Sequence, residues 1–129
     1  LYQRPRTRFV AEFIGEGSFL RAEVASGQRI STALGNIHAT PDSLSLDGEL
    51  EVMLRPEELR LSDAGEPLHQ GVVVESLFRG LGYLYSIRLD DGQVVRATHS
   101  SQVPYPNGHR IGIAINVEQA PVFQREANR

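Results

Sequence analysis

The stretch Gly71-Val72-Val73-Val74-Glu75-Ser76-Leu77-Phe78, Arg79-Gly80-Leu81-Gly82, Tyr83-Leu84-Tyr85-Ser86-Ile87-Arg88-Leu89 decides the fold class. Its first run is apolar and β-branched, and its last alternates cleanly, with Tyr83, Tyr85, Ile87 and Leu89 on one face. Period-two alternation is the pleat of a strand that buries one side. Gly80 and Gly82 turn the chain between the two runs, and Asp90-Asp91-Gly92 closes the second with another turn signal. The segment reads as a β-hairpin.

Working outward, the same grammar repeats. On the N-terminal side, Ser18 to Ala25 runs into the turn dipeptide Ser26-Gly27, then Gln28 to Ala33, with Gly35-Asn36 read as the next turn. Residues 39–48 are a polar connector, and Glu49 to Leu54 is a strand that runs into Arg55-Pro56-Glu57-Glu58. The proline there interrupts any ladder. Leu59-Arg60-Leu61 alternates briefly before a loop over 62–67. On the C-terminal side follow Gln93 to Thr98, a loop over 100–108 with two prolines, the strand Ile111 to Ile115 and the short piece Pro121-Val122-Phe123. Short strands with glycine at the corners indicate an all-β chain, and a small OB-like antiparallel barrel suits them. Ahead of the strands, Pro5 and the helically spaced Phe9, Val10, Phe13 and Ile14 predict a short N-terminal helical segment. Residues 1–15 are therefore read as a linker and 16–129 as the barrel domain, with two small lobes, 16–67 and 68–129, as the other division.

Composition narrows the chemistry. The chain has 129 residues, 40% of them hydrophobic and 22% charged, which is the make-up of a globular core. Its net charge of −3 gives no general attraction to nucleic acid or anionic lipid. With Cys 0 there is no disulfide and no thiolate chemistry. All 13 basic residues are arginine, so there is no lysine-bearing phosphate loop and no Schiff base. Glu57-Glu58 and Asp90-Asp91 read as corner and turn residues, not as paired catalytic carboxylates. Gly15-Glu16-Gly17 and Gly80-Leu81-Gly82 open no helix and so read as β corners, not phosphate cradles. His38, His69, His99 and His109 have no i,i+3 or i,i+4 spacing and read as solvated loop histidines with no metal role. No catalytic, cofactor or metal residue emerges.

Five pieces in register carry a family resemblance. They are Tyr2 to Gly15, Leu54-Arg55-Pro56-Glu57-Glu58-Leu59-Arg60-Leu61, Gly71 to Gly80, Tyr83 to Leu89 with Asp91-Gly92, and Val122-Phe123. Together they resemble the hand-over segment and C-terminal regulatory (transport-associated, OB-like) domain of ATP-binding subunits of bacterial ABC importers. Phe78 to Leu89 and Gly108 to Ile113 are most similar to the ferric-iron subgroup. Glu16-Gly17-Ser18-Phe19-Leu20 departs from the pattern, in which an asparagine precedes the apolar pair. With Leu1 at its start and its single methionine at Met53, the chain is expected to be part of a longer protein whose ATPase domain lies upstream.

The resemblance implies a non-catalytic regulatory and dimerisation module for iron(III) uptake, with ATP and Mg bound by the ATPase domain and no cofactor here. It implies as partners a second copy, the ATPase domain of the same chain and membrane permease subunits, without nucleic acid. The location implied is cytoplasmic, peripheral on the inner membrane. Residues chosen for the interface are Arg55, Glu57, Phe78 and Arg79, helped by strand edges expected to be exposed at Ile111 to Asn116 and Pro121 to Phe123. A free-standing barrel that binds an oxyanion or single-stranded nucleic acid is the alternative reading; Tyr83 and Tyr85 interleaved with Arg79 and Arg88 is the pattern behind it.

Overall fold

The computed structural model describes residues 16–41, 49–63, 69–101 and 103–124. The helical segment expected over 1–15 lies outside the described residues. The described chain is all-β. Its eleven strands are β1 (Ser18–Ser26), β2 (Arg29–Thr32), β3 (Gly35–Ala39), β4 (Leu50–Leu54), β5 (Leu59–Asp63), β6 (Gln70–Phe78), β7 (Tyr83–Leu89), β8 (Val94–His99), β9 (Arg110–Ile115), β10 (Gln119–Ala120) and β11 (Val122–Gln124). Among the described residues the one helical piece is a 3₁₀ turn, Pro56–Glu58, between β4 and β5.

The strands form two compact units with bounds that differ from 16–67 and 68–129. The first holds residues up to Leu54 together with those from Val117 on; the second is Arg55–Asn116. The chain thus lays down β1 to β4, crosses to the second unit for β5 to β9, and returns with β10 and β11.

In the first unit the sheet order is β10-β3-β2-β1-β4-β11. Its two edge strands are separated only by Pro121, so the sheet closes into a ring. β10 pairs in parallel with β3, β11 pairs antiparallel with β4, and the Met53 N–H donates to the Pro121 carbonyl at 3.0 Å. Proline fits at this junction because it has no N–H to offer either neighbour. β1 is long enough to serve both sides: Ser18 to Ala22 pairs with β4 and Ala22 to Ser26 with β2. Leu20, Ile30 and Val52 are fully shielded from solvent in this unit. Phe19, Met53 and Phe123 alternate with the neighbours Leu20, Val52 and Val122 along their strands, so they lie on the opposite sheet face. There Met53 and Phe123 form a second buried cluster with Phe19 against it, the two phenylalanine rings edge to face at 6.2 Å.

The second unit repeats the ring. Its order is β5-β9-β6-β7-β8, with every ladder antiparallel, and the two ends, β5 and β8, come into contact. β6, like β1, has nine residues, carries a register shift, and pairs on both sides, with β9 and with β7. Reading β6, β7, β8, β9 and β5 against β1, β2, β3, β4 and β10–β11 gives the same circuit and the same strand directions. The difference is a permutation: the fifth strand comes last in the first unit and first in the second. Five-stranded rings in this order are OB-like barrels. Tyr85, Ile87, Val95 and Ile111, all fully shielded, fill the second one.

Two sequence expectations need correction. Gly35-Asn36 is not a turn but the start of β3; the turn is Ala33-Leu34, held by the Thr32 hydroxyl, which accepts from the Leu34 N–H at 3.0 Å and donates to the Gly35 carbonyl at 2.8 Å. The C-terminal strands are not open edges either. β9 lies between β5 and β6, and β10–β11 completes a ring.

Candidate functional site

The residues picked for an interface fall on two elements of the second unit. Arg55 and Glu57 flank Pro56 at the 3₁₀ turn, Arg55 half-buried and extended (φ −84°, ψ 155°), Glu57 exposed. Proline at the first position fixes φ and keeps its predecessor extended. The carboxylate that ties this corner is that of Glu58, whose Oε1 accepts from the Arg55 N–H at 2.9 Å, while the Glu58 N–H donates back to the Arg55 carbonyl at 2.9 Å. The corner is therefore a structural joint that leaves Glu57 facing outward.

Phe78 and Arg79 stand together at the tip of the β6–β7 hairpin. The Arg79 N–H donates to the Gly82 carbonyl at 2.8 Å and the Leu81 N–H to the Arg79 carbonyl at 3.0 Å, so the tip has a defined shape. Gly80 takes φ +82°, a conformation that favours glycine. The tip is apolar and exposed: Phe78 is 63% and Leu81 92% accessible, while Leu77, 51% accessible, lies on the other face of β6. Large apolar side chains grouped at one projecting point mark a contact surface more than scattered ones do.

An aromatic run extends from this tip. Phe78 meets Tyr83 edge to face (5.5 Å, 62°), Tyr83 meets Tyr85 (6.0 Å), and Tyr85 meets Tyr105 (5.6 Å). Tyr105 in turn contacts His99 (5.5 Å) and stacks on His109 (5.1 Å, 14°). Burial, followed by the charge of Asp63 and the neighbouring Tyr85, holds the Tyr105 phenol above its ordinary value. This corrects the reading of scattered, solvated loop histidines. His38 is within β3 and His99 ends β8, while His99 and His109, both half-buried, converge on one tyrosine. Tyr105 itself escapes the sequence reading. Its signal is Pro104-Tyr105-Pro106, where two prolines hold a lone aromatic extended. Among the described residues no group of three or more His, Asp or Glu side chains is placed to hold a metal ion. Tyr85 is wholly buried, so the Tyr83/Tyr85 pair does not form a stacking platform for bases.

Residues 52–123 match the TOBE domain family. The chain belongs to that family. As a TOBE domain it is 32% identical to the spermidine/putrescine import ATP-binding protein PotA of Ruegeria pomeroyi, over 96% of this chain and 36% of that protein. It is 35% identical to the Fe(3+) ions import ATP-binding protein FbpC 2 of Rhodococcus jostii, over 89% of this chain and 34% of the relative. The chain thus spans about a third of the length of these curated relatives. Among solved structures, the cytoplasmic molybdate-binding protein ModG, in its molybdate-bound form, superposes with a TM-score of 0.63 at 12% identity, over 83% of this chain and 95% of ModG. That likeness establishes the OB-like fold of the TOBE domain. No helix among the described residues is long and apolar enough to cross a membrane.

Proposed function

We propose that this TOBE domain is the regulatory and dimerisation part of the ATP-binding subunit of an ABC importer. The observation that carries the reading is the match to import ATP-binding proteins over 96% of this chain but only 36% of the relative, which leaves room for a nucleotide-binding domain elsewhere in the same polypeptide. A lysine-free chain cannot supply the phosphate-loop lysine, so ATP and Mg belong to that other domain. The partners are then the ATPase domain of the same chain, a second copy of the subunit and membrane permease subunits, and the location is the cytoplasmic face of the inner membrane.

The cargo has two readings. Iron(III) is favoured by the Phe78 to Leu89 and Gly108 to Ile113 segments and by the FbpC relatives. Polyamine is favoured by the PotA relatives of Ruegeria pomeroyi and Pseudomonas aeruginosa. Neither requires cargo to touch this domain.

The test compares the whole protein with this chain alone. The whole protein hydrolyses ATP and this chain does not; hydrolysis by the pure chain would overturn the reading. Reconstituted with its permease and supplied in turn with iron(III) and spermidine, the importer accumulates one of them, which assigns the cargo.

A further inference from the structure

The tip of the β6–β7 hairpin also borders an open pocket. It lies between the tip and the end of β8, has a volume of about 240 Å³, and is lined by Arg79, Leu81, Gly82, Tyr83, Thr98, His99 and Ser100. Turn and strand end touch along one side of it. A Cβ on Gly82 would come within 2.7 Å of the His99 carbonyl oxygen and 3.1 Å of the Ser100 Cα, so the turn lies directly on the strand end. The Ser100 hydroxyl donates to the Leu81 carbonyl at 3.3 Å, a second tie between turn and strand end.

The lining has one sign. Its residues include an arginine, a histidine and three that carry hydroxyls, Tyr83, Thr98 and Ser100, and no carboxylate, on a chain whose net charge is −3. Tyr83 adds an aromatic ring, met edge-on by Phe78 and at a tilt by Tyr85. A guanidinium matches the two oxygens of a carboxylate or phosphoryl group, and an aromatic face takes a flat ring. The place in the fold agrees independently. In the circuit described above, β7 and β8 are the second and third strands and Arg79–Gly82 is the loop between the first and second. That loop and those strands are where OB folds take ligands.

We propose that this pocket binds a small organic anion, its carboxylate or phosphoryl group on Arg79 and a flat ring against Tyr83. The site lies wholly in the second unit and does not depend on the transporter reading. Arg79 also borders the apolar tip, so an occupant here sits beside any contact made by Phe78.

The test titrates the isotope-labelled chain with phenyl phosphate, benzoate, inorganic phosphate and neutral benzamide, and follows the amide signals of Gly82, His99 and Ser100. Phenyl phosphate or benzoate gives a saturable shift with a dissociation constant of about 1 mM or tighter. Whichever of the two binds more tightly assigns the anionic group. Arg79→Gln weakens binding at least about tenfold. Leu81→Glu, at a 92% exposed position that tolerates change, sets a carboxylate at the rim and produces the same loss without relying on the first variant. Failure of both organic anions to saturate, an equal response to benzamide, or unchanged affinity in both variants overturns the proposal. Inorganic phosphate binding as tightly as phenyl phosphate overturns the role given to the Tyr83 ring.

Discussion

The backbone N–H of Tyr105 donates to the hydroxyl of the buried Tyr85 at 3.0 Å. One barrel-filling side chain thus holds the loop that follows β8. The loop is tied further by backbone bonds between Val73 and His109 (2.9 Å) and from Gly108 to the Val73 carbonyl (2.7 Å). Tyr85→Phe removes the acceptor but keeps the ring, and is expected to lower stability by about 1 kcal/mol, within the usual range for one intramolecular hydrogen bond. The Tyr105 amide should exchange faster with deuterium in the variant while the β6 and β7 amides keep their protection. Uniformly unchanged exchange would show that the bond holds nothing.

The raised phenol of Tyr105 gives a pH dependence of definite sign. An acid whose pKa is higher folded than unfolded binds more protons in the folded state. Its contribution is therefore intact below the ordinary tyrosine value of 10.0 and is lost as pH rises from there through the folded value. Urea midpoints should fall on passing above pH 10.0, and Tyr105→Phe should flatten that fall while leaving the neutral-pH profile unchanged in shape. A steeper fall in the variant would reverse the sign.

Two glycines with different constraints test the hairpin tip. Gly82 has no space: a Cβ there meets the His99 and Ser100 backbone, which cannot swing away as a side-chain end can. Gly82→Ala is expected to cost about 1–3 kcal/mol by overpacking. A methyl added at Gly80 would meet nothing within 4 Å, but the residue takes φ +82°. Gly80→Ala therefore carries a conformational cost of roughly 1–2 kcal/mol. The two should be told apart by structure more than by size of effect. Only Gly82→Ala should shift the amide signals of His99 and Ser100.

These contrasts mark how far the residues alone could be read. β7 is legible because Tyr83, Tyr85, Ile87 and Leu89 alternate over seven residues, long enough for one buried face to leave a period-two trace. β10 and β11 have two and three residues, too few to show any period, so Pro121 to Phe123 reads as a short strand with a free edge and its partners stay hidden. The Ala33-Leu34 turn is hidden because neither residue favours turns; the chemistry resides in the Thr32 side chain, which imitates a turn by bonding both ways. The repeat of one circuit in both units is invisible for a related reason. It lies in strand order and direction, which no local pattern records. Of the proposed contact residues, Phe78 and Arg79 do mark the hairpin tip. The Arg-Pro-Glu corner is legible as a joint, but which of its two glutamates ties it is not: Glu58 Oε1 takes the Arg55 N–H, and Glu57 is left exposed. The convergence of His99 and His109 on Tyr105 depends on a loop folding back, and no spacing of four histidines could announce it.

Self-association is predicted to run through the hairpin tip. Ring closure in the first unit leaves β10 and β11 paired, so Pro121 to Phe123 offers no free edge to a second copy there. Phe78 and Leu81 offer the apolar group suited to pairing, and a two-fold axis through the tip would set each Phe78 against its counterpart, the simplest closed arrangement. Arg55 and Glu57, at the 3₁₀ turn that packs against β8 in the same unit, are the polar residues to test beside it. Light scattering across a concentration range is expected to show a dimer of this chain. Phe78→Ser should convert it to a monomer with little change in melting temperature, because the ring is 63% exposed and packs edge-on against Tyr83. Arg79→Gln, in contrast, should weaken anion binding and leave the dimer largely in place. A chain that stays monomeric at high concentration, or a Phe78→Ser variant that still pairs, would move the contact away from this tip.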